Sequence, residues 1–344
     1  MKIRTQLLWL LLMFTVLIAK GQHDEHAVIT LYGYTKFQTS LETDTIDYLI
    51  YGSDSTLKIK KPLLLFIQGS QPIPLFPKAN GGYAPPLPFN PKKIAEFHIA
   101  VISKTGLPIV PDTMFQFPVY LEVETKMPPQ MYTLNNSLAH RVQTANQVIK
   151  DILTKDFIDK SRVVVVGHSE GARVASKLAT ANTHITELGF FSGSATNQFY
   201  DLIIGYRKAA ASGEISNEQS QILVDSLLTQ YKSIIANPTS TEDFWWGSDT
   251  YLRWSSFSQE VISDLLKLSI PIYLTKGMRD KNSQIESTDV VAVEFISNKK
   301  DNLTYKVYPE YDHNFFEYEK VNGIRKRIKH WDDVMIDFIK WIEL

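Results

Sequence analysis

Cysteine is absent from the 344 residues, which excludes a disulfide framework, a cysteine nucleophile, a thiolate metal site and a lipidated cysteine. A charge excess of one sign is also missing, with 36 basic residues against 37 acidic ones. A nucleic-acid-binding surface needs a basic excess, so no nucleic-acid partner is expected. No stretch reaches the roughly 20 apolar residues that a permanent membrane span requires. Core material, by contrast, is plentiful. Hydrophobic residues make up 44% and aromatics 12%, a composition that argues against disorder and fits one large or two ordinary globular domains.

The N-terminus is informative. Lys2 and Arg4 precede an apolar run from Leu7 to Ala19, followed by Lys20, Gly21 and Gln22. A charged start, a short hydrophobic stretch and small residues at Ala19 and Gly21 have the layout of an export signal cleaved after Gly21. The expectation is a signal peptide over residues 1–21 and a mature chain over 22–344. That implies a periplasmic or extracellular location and no stable membrane span after signal removal; an uncleaved anchor is the alternative. His23-Asp24-Glu25-His26 has metal-ligating residue types, but at a new terminus it reads as a solvated tail. No metal and no cofactor are expected.

Residues Ala27–Leu41 and Ile46–Lys60 alternate apolar and polar side chains and predict two antiparallel strands joined by a turn at Glu42–Thr45. The runs Pro62–Ile67, Ala100–Ile102 and Val163–Val166 are continuously apolar, as in strands buried on both faces of a parallel sheet. Helical patterns occupy Asn136–Phe157 and Ser169–Ala181. Further strands are expected at Ile185–Phe191, Ile270–Thr275 and, last, Thr304–Tyr308. Helices are expected around Ser287–Ser297 and Trp331–Ile342. Strands alternating with helices predict an α/β fold. The stretch from about 195 to 266 interrupts the alternation with two helical patterns, Gln198–Ala211 and Asn217–Ile235, and an aromatic cluster; it reads as an insertion. Gln71–Pro91 is rich in proline and reads as an extended loop.

Between the strand ending at Val166 and the helix that follows lies Gly167-His168-Ser169-Glu170-Gly171. G-x-S-x-G is a weak pattern alone; between a strand and a helix it describes a nucleophile elbow, with the serine oxygen held above the sheet edge at a helix N-terminus. The run Ser161–Gly171 resembles the α/β-hydrolase superfamily, and looks closest to its esterases and prolyl-oligopeptidase-like members. The resemblance covers essentially everything from Ala27 onward except the helical insertion. It implies an α/β-hydrolase fold, a mostly parallel central sheet flanked by helices, with residues 195–266 as a cap. It also implies the chain order nucleophile, acid, histidine.

A serine hydroxyl needs a base to take its proton. Of the eight histidines, His313 follows the last expected sheet strand, where working loops of such sheets lie. It is the expected base, with His330 as the alternative; His168 and His184 read as bystanders. The acid must come from the end of a neighbouring strand, and Asp280 after Ile270–Thr275 occupies that place. Asp312 is a poor competitor beside His313, and Glu286 is a second choice. The backbone N–H of Glu170 and one from Gln68-Gly69-Ser70 are expected to bind the oxyanion, with Ser70 preferred and Gln71 second. The Glu170 carboxylate is expected to sense a substrate cation or to be solvated. Gln71, Trp245, Trp246 and Trp254 are expected around the substrate, together with Phe76, Tyr83 and Phe89 of the proline-rich loop. The reading is an exported serine hydrolase that cleaves an ester in a small molecule. A small serine peptidase and a non-catalytic hydrolase-like binding module are the alternatives.

Overall fold

Val163 and Val165 point into one hydrophobic core and Val164 and Val166 into another, because successive side chains of a strand face opposite sides of a sheet. That is why the run is apolar at every position. The computed structural model describes residues 25–53, 55–79, 81–112, 118–321 and 324–343; the expected signal at 1–21 lies outside the described residues, as do His23 and Asp24.

A short helix α1 (25–31) leads into β1 (Tyr34–Leu41) and β2 (Asp44–Tyr51), which pair antiparallel. The strand expected from Ala27 therefore starts seven residues later. In so short a segment alternation and helical spacing overlap, and Ile29 buries itself from the helix instead. Past Tyr51 the second expected strand gives way to a 3-10 turn, Thr56–Lys58. There follow β3 (Lys61–Ile67), the small hairpin β4 (Lys78–Ala79) and β5 (Gly82–Tyr83), β6 (His98–Ile102), α2 (Gln130–Asn135), α3 (Leu138–Ile152), β7 (Ile158–His168), α4 (Glu170–Ala181) and β8 (Glu187–Phe191). The remaining elements are α5 (Gln198–Ala211), α6 (Asn217–Ala236), α7 (Tyr251–Phe257), α8 (Ile262–Lys267), β9 (Ile272–Gly277), α9 (Glu286–Ser297), β10 (Leu303–Tyr308), β11 (Phe316–Val321), β12 (Ile324–Lys329) and α10 (Trp331–Ile342).

The main sheet has eight strands in the order β1-β2-β6-β3-β7-β8-β9-β10. From β6 to β10 every neighbouring pair is parallel, and β1 and β2 are antiparallel additions at one edge. Residues of α3, α4, α8 and α9 cover one face; α10, with Trp331, Val334, Phe338 and Ile342, covers the other. Thr304–Tyr308 belongs to the last strand of this sheet, yet two further strands follow: β11 and β12 form a separate antiparallel hairpin. Phe316 and Tyr318 alternate with glutamates, and β12 is mostly basic, so no continuous apolar run marks this hairpin in the sequence.

Within the insertion, Phe199, Leu227, Ile234 and Trp254 form a small core of their own. Phe257, Val261, Leu265 and Leu268 pack instead into the main core beneath the sheet. The part of the 195–266 stretch that stands apart therefore ends within α7.

Candidate active site

The site is built at the C-terminal ends of β3, β7, β9 and β10. Ser169 follows β7 with φ 57° and ψ −125°, a left-handed conformation that costs a non-glycine residue energy and is held in place by its surroundings. The turn is crowded. A Cβ on Gly167 would stand 2.1 Å from the Gly171 carbonyl oxygen, and one on Gly171 would stand 2.2 Å from that of Ile67. Only hydrogen fits at either position, so the two glycines of the motif allow β7 to turn directly into α4 beside β3.

Asp280, just after β9, and His313, in the loop after β10, reach the same point. His313 Nδ1 donates to Asp280 Oδ2 at 2.8 Å, and its Nε2 lies 2.9 Å from Ser169 Oγ. With its proton on Nδ1, the imidazole offers Nε2 as acceptor to the serine hydroxyl. Asp280 Oδ1 accepts the backbone N–H groups of Asn282 and Ser283 at 2.8 and 3.0 Å. Burial pushes the Asp280 carboxyl up, but the contacts with His313, the Lys276 cation and the Ser283 N–H outweigh it and bring it down to about 2.

The other acids and histidines have separate duties. Asp312 accepts the N–H groups of Asn314 and Phe316 and the Tyr318 hydroxyl, so it shapes the histidine loop. Glu286 pairs with Lys208 at the surface, and His330 sits between Asp333 and Glu317. His168, expected as a bystander, is buried and donates from Nε2 to the His313 carbonyl oxygen at 3.0 Å. Burial and then the neighbouring His313 lower its pKa to about 3. A neutral imidazole thus braces the backbone of the residue that faces Ser169.

Glu170 departs most from expectation. Its carboxylate neither faces solvent nor stands free for a substrate cation. It is buried between Arg141 of α3, at 3.0 Å, and Arg253 of α7. Burial alone would raise its pKa; Arg253 and Arg141 overcome that and hold it below the usual carboxylate range. The cations also grip the loop after β3. Arg141 donates to the carbonyl oxygens of Gln68 and Gly69, and Lys104 to those of Ser70 and Gln71. In a trans peptide the next N–H points opposite to the carbonyl, so these contacts turn the N–H groups of Ser70 and Gln71 away from the cations. Neither group, nor the N–H of Glu170, donates to an acceptor among the described residues.

A cavity of about 850 Å³ opens over Ser169. Ser70, Gln71, Trp246 and Trp254 border it, together with Pro85, Pro86, Leu87 and Pro88. Trp245 does not: it stacks on Phe199 with ring centroids 5.3 Å apart, inside the cap. Phe76 and Phe89 are buried in the main core, so the proline-rich loop offers the cavity its prolines and Leu87 rather than these aromatics. Sequence reasoning missed Arg141, Arg253, Lys104 and Lys276. Arg141 lies three residues after Leu138 and four before Ala145, on the apolar stripe of its helix, and Lys276 is the penultimate residue of a strand buried throughout. A charge on a face that must be buried was the available signal.

No protein-family model and no curated protein matches the sequence. Among solved structures, the chain is similar to Pyrococcus horikoshii acylaminoacyl peptidase, with a TM-score of 0.51 and 11% identity over 81% of this chain and 37% of that one. It is also similar to an acylaminoacyl peptidase in complex with Z-Gly-Gly-Phe-chloromethyl ketone, with a TM-score of 0.55 and 11% identity over 90% and 41% of the two chains. The chain thus spans about two fifths of the length of these structures. Strand order, the parallel run from β6 to β10 and these likenesses agree: the chain has the α/β-hydrolase fold.

Proposed function

We propose that the protein is a serine hydrolase that cleaves an ester through an acyl-enzyme at Ser169. The observation that carries this reading is the unbroken hydrogen-bonded series from Asp280 through His313 to Ser169. His313 takes the Ser169 proton as the oxygen attacks the carbonyl carbon, and Asp280 stabilises the imidazolium that results. His313 then passes that proton to the departing alkoxide, which leaves an acyl group on Ser169. Water, deprotonated by the same imidazole, then adds to the acyl carbon; the bond to Ser169 Oγ breaks, His313 returns the proton to that oxygen and the acid leaves. The N–H groups of Glu170 and Ser70 receive the negative oxygen of each tetrahedral intermediate, which lowers the barrier by several kcal/mol.

The N-terminal sequence supports export, and among the described residues no helix is long and apolar enough to cross a membrane. The substrate is a small molecule, with its apolar part against the proline and tryptophan wall of the cavity. A peptidase is the second reading, favoured by the name of the two similar structures. One experiment addresses both. A fluorophosphonate should label Ser169 alone, and a panel of acyl esters set against aminoacyl amides should show the faster turnover on esters. Folded protein that resists the label would favour a binding module, and faster amide cleavage would favour the peptidase.

A further inference from the structure

Lys276, the penultimate residue of β9, has no solvent exposure at all. Its ammonium donates to the Gly193 carbonyl oxygen at 3.0 Å and to Ser283 Oγ at 2.6 Å, and stands 3.6 Å from Asp280 Oδ2. That oxygen is the one that receives His313 Nδ1. An ammonium has no lone pair, so Ser283 Oγ accepts from Lys276 and turns its own proton to Asp280 Oδ2, at 3.1 Å, or to the Ser192 carbonyl, at 2.9 Å. Two cationic partners, one permanent and one formed only during turnover, thus share a single carboxylate oxygen.

We infer that Lys276 is a positioning residue that holds Asp280 and restrains the base strength of His313, so that the imidazole remains an acceptor under mildly acidic conditions. This rests on the reading of Ser169, His313 and Asp280 given above. The physical reason is competition: the charge that Asp280 spends on Lys276 is withheld from the imidazolium, and the ammonium repels that imidazolium directly. Among the described residues, the remaining charged and titratable groups that act on Lys276 are Asp201 of α5, Arg173 of α4, His168 at the end of β7 and Glu286 of α9. Burial lowers the Lys276 pKa, and Asp280 and Asp201 oppose that shift.

The test is the pH dependence of Ser169 labelling by a fluorophosphonate, a rate that needs the unprotonated base. In wild type the acid limb marks the uptake of a proton by that base. In Lys276→Gln, which keeps a donor for Gly193 and removes the charge, the limb is expected to move to higher pH by about one unit. Lys276→Met, of similar length, should move it in the same direction. Lys208→Gln, which removes an ammonium from a surface pair with Glu286, should leave the limb in place. An unmoved limb in folded Lys276→Gln or Lys276→Met would reduce the lysine to a structural brace. Should neither variant fold, a wild-type limb well above pH 7 would overturn the inference on its own. Wild type that is not labelled at Ser169 at any pH would instead remove the serine-hydrolase reading on which the inference stands.

Discussion

Glu170 and Arg253 join α7 to the turn that carries Ser169. The arginine comes from α7, in the insertion; the glutamate is the residue after Ser169, and their side chains meet in a buried ion pair. Arg141 completes the arrangement from α3 and continues to the loop after β3. One network of charges therefore touches α7, the residue after Ser169 and the loop that carries Ser70. Buried charges cost several kcal/mol each unless they are paired, so the members depend on one another.

Removal of the anion should be the most damaging change in this network. Glu170→Gln leaves two guanidinium groups buried with less compensation, and a loss of about 3–5 kcal/mol is expected. Thermal and urea unfolding of the variant would measure it. The peptide N–H of residue 170 survives the substitution, so protein that still folds should still be labelled at Ser169. A stability loss below about 1 kcal/mol would mean that solvent reaches the cluster.

Arg141→Met tests the loop after β3. It removes the donor to the Gln68 and Gly69 carbonyls and lets the adjoining peptides rotate. A misaimed Ser70 N–H weakens the hold on the negative oxygen, which exists only in the transition state and intermediate. Hence kcat should fall, by up to about 10²-fold, with KM nearly unchanged. A rise in KM at constant kcat would make Arg141 a contact for the ground-state substrate.

The elbow was legible because its signal is local: five adjacent residues, a strand before them and a helix after. That Asp280 and His313 would meet beside Ser169 was legible through chain order and strand ends, without any contact being known. The charge network was not, because Lys104, Arg141, Glu170 and Arg253 lie far apart in sequence and each alone resembles a solvated surface charge. Trp245 and Trp246 show the limit from the other side. Adjacent in sequence, they differ in fate because Trp246 adopts φ 59° and turns toward the cavity, while its neighbour turns into the cap.

Asp280 and Asp312 can be separated by parallel substitution. Asp280→Asn removes the partner of His313 Nδ1 and should lower kcat by roughly 10⁴-fold in folded protein. Asp312→Asn disturbs only backbone and tyrosine contacts of the loop, so about 1 kcal/mol of stability and a much smaller loss of activity are expected. Ser169→Ala and His313→Ala should each abolish labelling, and their combination should add little, since the two groups act in one step. The reverse ranking of the two aspartates would reassign the acid.

His168 makes stability depend on pH in a way that can be isolated. Its folded pKa lies at about 3, below the unfolded value of about 6.5, so between these limits the unfolded chain binds a proton that the folded chain refuses. The contribution of the neutral imidazole is therefore complete above pH 6.5 and declines as pH falls toward 3, with a slope of at most about 1.4 kcal/mol per unit. Asp280 follows the same sense over a lower window: its folded value of about 2 against an unfolded value of about 3.9 means that its contribution is lost between pH 4 and 2. The two windows separate between pH 6 and 4, where His168 acts in the same sense as His98 and His140, whose pKa values burial also lowers. His168→Gln retains a donor for the His313 carbonyl but does not titrate, and should flatten the decline of urea stability across that range relative to wild type. Equal slopes in the two proteins would show that protonated His168 is accommodated in the fold, with another group responsible for acid sensitivity.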